Sequence, residues 1–258
     1  MCAQAQWLSQ PTPGAPRTPD GKVNMTGPVP LVNGKPGLSG IWQVEAEPRD
    51  RGLFGLGESP NSKYFRDILS DFKPVEAPLT PAGAELLRRN TEVSAKGGSP
   101  GLNCLPDGVP HADLLPWPFK IIQTPGEILM LYEVETTFRQ IYTDGRKQLT
   151  DPQPSWMGYS VGKWEGDTLV VDTVGFNDLS WLDARGHGHS EEMRVEERFR
   201  RRDFGHLEVA LTINDPKTFT RPVVVNFVEE LLPDTDLIEQ YCLEAEKDAK
   251  HQSATPGK

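Results

Sequence analysis

From Phe119 to Cys242 the chain repeats one pattern: short runs that alternate apolar and polar residues, each ended by a tight-turn signal. Lys120–Thr124 and Ile128–Thr137 flank Pro125-Gly126, and in the second run Ile128, Met130, Tyr132, Val134 and Phe138 alternate with Glu133, Glu135 and Arg139. Arg139–Thr143 ends at Asp144-Gly145. Trp156–Trp164 and Thr168–Phe176 flank Glu165-Gly166-Asp167, and Met193–Asp203 and His206–Asn214 flank Phe204-Gly205. Phe219–Leu232 and Leu237–Cys242 meet across Pro233-Asp234. A period of two is the geometry of a strand with one buried face. About eight such strands in succession predict an all-β antiparallel meander, and a meander of that length hides its edges by closing into a barrel.

Upstream the texture differs. Residues 1–38 are punctuated by Pro11, Pro13, Pro16, Pro19, Pro28, Pro30 and Pro36 and read as an extended or disordered lead. Gly40-Ile41-Trp42-Gln43-Val44 reads as a first strand, and residues 46–78 show no clear period. Thr80-Pro81 opens one short helix near 81–90, with Thr80 as cap and Pro81 in the first turn. The 24 prolines and 24 glycines, together about a fifth of the chain, exclude a helical bundle. One barrel domain is expected over 39–244, with a polar tail at 245–258.

The charge balance, 27 basic against 37 acidic residues, repels phosphate backbones, so nucleic acid is not an expected partner. No apolar run approaches the roughly 18 residues of a membrane helix. The start, Met1-Cys2-Ala3-Gln4-Ala5-Gln6, has the small-residue texture found near signal cleavage sites, which predicts a periplasmic or secreted protein. In such a compartment Cys104 and Cys242 are either a disulfide or two buried thiols.

Chemistry is expected first around Gly186-His187-Gly188-His189-Ser190. Three of the five histidines, His187, His189 and His206, fall within about twenty residues, in a run that also holds Asp183, Arg185, Glu191 and Glu192. If the stretch is extended, His187 and His189 project to one side and can share a transition metal. A cupin-type set needs a glutamate four or five residues on, where this chain has Met193 and Arg194. Metal-free acid/base use of the two histidines is the main expectation, with no cofactor. In Met193–Asp203 the residues Met193, Val195 and Phe199 set an apolar face, and Glu197 falls on it. A carboxylate there is either a desolvated acid/base group or half of an ion pair with an inward arginine such as Arg139 or Arg221. An inward Arg139 can also hold a developing negative charge. Trp117, Tyr142, Tyr159, Trp164 and Trp181 are candidates to line a cavity for an apolar or aromatic ligand.

Several stretches are specific in wording: Cys104-Leu-Pro-Asp-Gly-Val-Pro110, Phe138-Arg-Gln-Ile-Tyr-Thr-Asp-Gly-Arg146, Met157-Gly-Tyr-Ser-Val-Gly-Lys-Trp-Glu-Gly-Asp-Thr-Leu-Val-Val171, and Gly186–Ser190 followed by Glu197-Arg-Phe199. Over Leu102 to Cys242 the chain resembles a family of uncharacterised exported proteins of soil bacteria. That resemblance implies export and no particular activity. At fold level Gly40-Ile-Trp42 followed by the meander looks like a lipocalin-type barrel, which hosts both carriers and enzymes. The expected function is an acid/base enzyme of lyase, isomerase or hydratase type on a small organic molecule. His187 or His189 moves the proton, Glu197 or Asp183 orients it, and Arg139 stabilises charge. The alternatives are a non-catalytic carrier of an apolar ligand and a metalloprotein built on His187 and His189.

Overall fold

The computed structural model describes residues 10–45, 67–70, 72–73 and 76–242. A small hairpin, β1 (Leu31–Val32) with β2 (Lys35–Pro36), precedes β3 (Gly40–Val44). Helix α1 (Pro81–Ser94) and the short α2 (His111–Leu114) follow. Then come β4 (Phe119–Thr124), β5 (Glu127–Tyr132), β6 (Phe138–Tyr142), β7 (Tyr159–Glu165) and β8 (Thr168–Val174). The last three are β9 (Arg194–Arg201), β10 (His206–Asn214) and β11 (Val223–Leu231). Nine strands, β3 to β11, close into a barrel in the order β10-β11-β3-β4-β5-β6-β7-β8-β9.

The alternation that predicts the strands also fills the barrel. In β10 Leu207, Val209, Leu211 and Ile213 are buried, while the residues between them are partly open. In β9 Val195, Phe199 and the charged Glu197 and Arg201 point inward with them. Ile121, Ile128, Met130, Leu169 and Val171 complete the inner layer from β4, β5 and β8. The described residues of the lead run along the barrel. Gly205 and Phe204 donate to Met25 and Gly27, and Arg17 pairs with Asp234 at 2.7 Å. The Arg201 guanidinium lies 4.8 Å from the Trp42 ring and donates to the carbonyls of Gly37 and Phe204. Trp42 donates to Leu38 at 2.9 Å. The first strand and the lead are thereby locked together at one end.

Three details depart from the expected meander. The run from Ile128 ends at Tyr132, because Glu135 and Thr136 take positive φ of 58° and 49° in a tight 134–136 turn. Periodicity continues through that turn in sequence but the backbone does not. Leu237–Cys242 forms no strand; it is held instead by the Cys104–Cys242 disulfide and by Gln240 donating to Glu133. One neighbouring pair, β6 with β7, is parallel, and its register covers only Ile141↔Ser160 and Tyr142↔Val161. The long 143–158 connection between them allows the chain to return to the same end before β7 begins.

Arg139 sits inside the barrel beside that thin seam. Its Nε donates to Ser160 at 3.1 Å across the seam, one Nη donates to Thr173 of β8 at 2.9 Å, and both Nη atoms fork onto Glu197 of β9. Arg221, the other candidate partner for Glu197, lies against the Phe72 ring instead. Asp113 of α2 adds a second carboxylate 3.6 Å from Arg139 and accepts from the Tyr132 hydroxyl at 2.6 Å. Burial and the Glu197 charge push Asp113 up to about 7. Removing one member leaves a buried charge unpaired. Glu197→Ala is therefore expected to cost about 3–5 kcal/mol in denaturant unfolding. An Arg139→Met/Glu197→Leu double variant is expected to lose less than the sum of the two single changes, because the pair is removed together and Asp113 can take up a proton once the guanidinium is gone; a strictly additive loss would contradict it.

Candidate functional site

The Gly186–Ser190 stretch lies in the 175–193 connection between β8 and β9, pressed against α1. Two glycines make that approach possible. Gly186 has a φ of +89° with Trp181 beneath it, and a Cβ on Gly188 would stand 2.4 Å from the Leu86 side chain of α1. Asn90 of α1 donates to the Gly186 carbonyl at 2.9 Å. At the far end, Ser190 is bonded through its N–H and hydroxyl to Asp215 at 2.7 and 2.8 Å. Helix α1 is itself set by the expected cap: the Thr80 hydroxyl accepts from Gly83 at 3.0 Å, with Pro81 in the first turn.

This anchored loop brings Asp183 and His187 together, four residues apart. His187 Nδ1 lies 2.7 Å from Asp183 Oδ2. Asp183 is fully buried and also accepts from the backbone N–H groups of Ile68, Arg185 and His187. Burial opposes its ionisation, but His187 and these donors outweigh that and bring its carboxyl down to about 2. Burial likewise opposes the charged form of His187, yet Asp183 and then Asp67 raise it above the ordinary histidine value. Asp67 Oδ1 lies 3.8 Å from His187 Nδ1, and Arg185 Nε is 2.7 Å from Asp67 Oδ2. Two carboxylates thus face one imidazole and one guanidinium. Among the described residues His187 Nε2 makes no hydrogen bond.

The dyad opens on a cavity of about 680 Å³ outside the barrel strands, between α1 and Asp67, Leu69, Phe72, Ala77 and Leu79. Its walls are mostly apolar, from Leu69, Phe72, Ala77, Leu79 and Leu87, and its polar end is Asp67, Arg185 and His187. Apolar walls with a few convergent polar groups are the usual make-up of a small-molecule site.

The other expected site residues lie elsewhere. His189 uses both ring nitrogens away from His187: Nε2 is 2.8 Å from the Ser180 hydroxyl and Nδ1 is 3.1 Å from the Ser190 carbonyl. Burial lowers its affinity for a proton. Among the described residues, the one group spaced to bridge a metal joins His187 to Asp67 and Asp183, within 4.8 Å of one another, and leaves His189 out. His206 pairs with Asp203 at the β9–β10 turn, at 2.6 Å. Arg139 and Glu197 are committed to each other inside the barrel and do not line the cavity. Tyr142 and Tyr159 stack at 5.3 Å beside the β6–β7 seam, with Arg146 over Tyr142. Trp164 packs partly against the core, Trp117 is exposed, and Trp181 is buried under Gly186. None of these five aromatics lines the cavity by the dyad. Asp67 joins the site from 116 positions before Asp183, in a stretch without periodicity; its only sequence signal is its residue type.

The pairing predicts a measurable exchange. Asp183→Asn removes the charge that holds the proton on His187 while keeping most of the shape. The His187 pKa, followed by NMR of its ring protons, is expected to fall below its wild-type value; an unchanged value would separate the two residues. For stability, the raised His187 contributes fully below the ordinary histidine pKa and its contribution is lost as pH rises through the folded value. The lowered Asp183 contributes above the ordinary carboxylate range and its contribution is lost as pH falls towards about 2. No protein-family model matches the chain and no curated protein matches it, so its function rests on this geometry.

Proposed function

We propose that this protein is an acid/base enzyme of lyase, isomerase or hydratase type that works without a metal on a small, largely apolar molecule. The observation that carries the reading is the Asp183–His187 pair at the polar end of an apolar cavity, with Nε2 unbonded. Asp183 fixes the ring through Nδ1 and keeps it protonated, so Nε2 presents a proton to a polar atom of the ligand. A buried carboxylate that accepts from several N–H groups does not drift, which keeps that proton in one place. Among the described residues Arg185 pairs with Asp67 and His187 with Asp183, each at 2.7 Å, so each of the two carboxylates already has a basic partner. Arg185 takes the place that sequence reasoning gave to Arg139, next to the dyad.

The same reading places the protein outside the cytoplasm. The Cys104–Cys242 bridge ties the chain across 138 positions, and such bridges persist in oxidising compartments. No helix among the described residues is long and apolar enough to cross a membrane. Reduction under mild conditions is expected to lower unfolding stability by about 2–5 kcal/mol. A mass spectrum showing two free thiols in protein isolated from the periplasm would contradict the exported, bridged form.

Incubation of the purified protein with a mixed small-molecule extract, followed by mass spectrometry, tests the activity. Products formed by wild type are expected to fall at least 10²-fold with His187→Gln. Turnover is expected to decline as pH rises through the raised His187 value, and Asp183→Asn is expected to move that decline to lower pH. Products that survive His187→Gln unchanged would overturn the reading. Ligand retained without conversion, and unaffected by His187→Gln, would show a carrier.

A further inference from the structure

We propose that the cavity between the lead and one end of the barrel is a second binding site, which takes a small monocarboxylate with an apolar body on the Arg201 guanidinium. This site goes beyond the acid/base reading above and shares no lining residue with the His187 cavity.

Arg201 ends β9 and is 5% exposed. Among the described residues no carboxylate forms an ion pair with it. Asp203, whose charge reaches it, gives its own carboxylate to His206 at 2.6 Å and to Arg202 at 3.3 Å. Arg201 is held by backbone instead: Nε donates to the carbonyls of Asp203 and Phe204 at 3.3 and 3.2 Å, one Nη to Gly37 and the other to Phe204. Carbonyls solvate a guanidinium but leave its charge uncancelled. Each Nη also carries a second N–H, which finds no acceptor among the described residues. The Trp42 and Phe204 rings pack against the guanidinium at 4.8 and 5.1 Å, and its N–H groups point out along its edge. That edge is the surface that a planar carboxylate matches. Burial brings Arg201 down to about 10, so it is still a cation at neutral pH.

This buried charge lines a cavity of about 600 Å³, whose walls come mainly from residues 10–14, 30–41 and 231–236. Pro11, Val32, Ile41, Leu231 and Leu232 give it apolar surface. Two other charged residues line it, Lys120 and Asp236. They lie 3.6 Å apart, with side chains 38% and 64% exposed, so they balance each other at the rim. Arg201 is therefore the one unmatched charge among the lining residues. A single negative charge on a ligand cancels it, whereas a cation adds to it and a dianion overshoots. The apolar walls then take the rest of the ligand.

Calorimetry of the full chain with octanoate tests the site, with octan-1-ol as the uncharged probe of the same body. Octanoate is expected to bind one per chain, and octan-1-ol at least about tenfold more weakly. The Arg201 Nε–H signal in NMR, assigned through its contacts to the Trp42 ring, is expected to shift with octanoate and not with octan-1-ol. Arg201 also joins the lead to the barrel, so its replacement would mix binding with folding. The exposed wall residue Val32 supplies the variant instead. Val32→Glu sets a like charge beside the ligand and is expected to weaken octanoate at least about fivefold. His187→Gln is expected to leave octanoate binding unchanged. Octanoate that does not bind, binds no better than octan-1-ol, or leaves the Arg201 signal in place would overturn the inference. Binding that is lost with His187→Gln and kept with Val32→Glu would overturn it too, because the carboxylate would then sit in the other cavity.

Discussion

Arg139 holds the barrel at its thinnest point. The β6–β7 pair shares only two register positions, so its backbone ladder cannot by itself seal the wall. The guanidinium crosses that seam to Ser160, continues to Thr173 and forks onto Glu197, which ties four adjacent strands through one side chain. Asp113 brings α2 into the same knot, and Tyr132 extends it to β5. Arg139, Glu197, Ser160 and Thr173 bond to one another, while Asp113 Oδ2 has only the 3.6 Å approach of the guanidinium. A buried ion of this kind weakens a fold unless every partner is in place, which is why it specifies one register rather than simply adding stability.

That knot and the apolar layer fill the interior, and the candidate site with its cavity lies outside the barrel strands. The β8–β9 connection leaves the barrel, packs its two glycines against α1 and returns through Ser190 to Asp215. Its two histidines, one residue apart, end in opposite conditions. Asp183 and Asp67 favour a proton on His187, while burial against Ser180 disfavours one on His189. A rigid frame with a loop anchored at both ends can hold such a difference, since neither ring can turn to exchange partners.

Much of the barrel is legible in local pattern. Period-two alternation finds the long strands, the Pro-Gly, Asp-Gly and Phe-Gly pairs find turns, and Thr80-Pro81 finds the start of α1. It also places Glu197 on the buried face. It runs on past Tyr132, because alternation is a statement about side chains and the break there is one of φ at Glu135 and Thr136. The dyad is equally legible: Asp183 and His187 are close in sequence and the glycines announce a close approach. The aromatics mislead, because a large ring is as useful in the core or on a rim as beside a ligand.

The sequence by itself determined which side of most strands faces inward and where one helix begins, and it singled out the histidine loop that holds the Asp183–His187 pair. Tertiary structure alone decided that Arg139 rather than Arg221 meets Glu197, that β6 and β7 run parallel, that His189 turns to Ser180, and that Asp67 closes the site. The physical reason is one of range. Periodicity and turn chemistry act between residues a few positions apart, so they are written in the local chain. The choice of partner for a buried charge is made among groups from tens to more than a hundred positions distant, and only the packed fold determines which of them arrives.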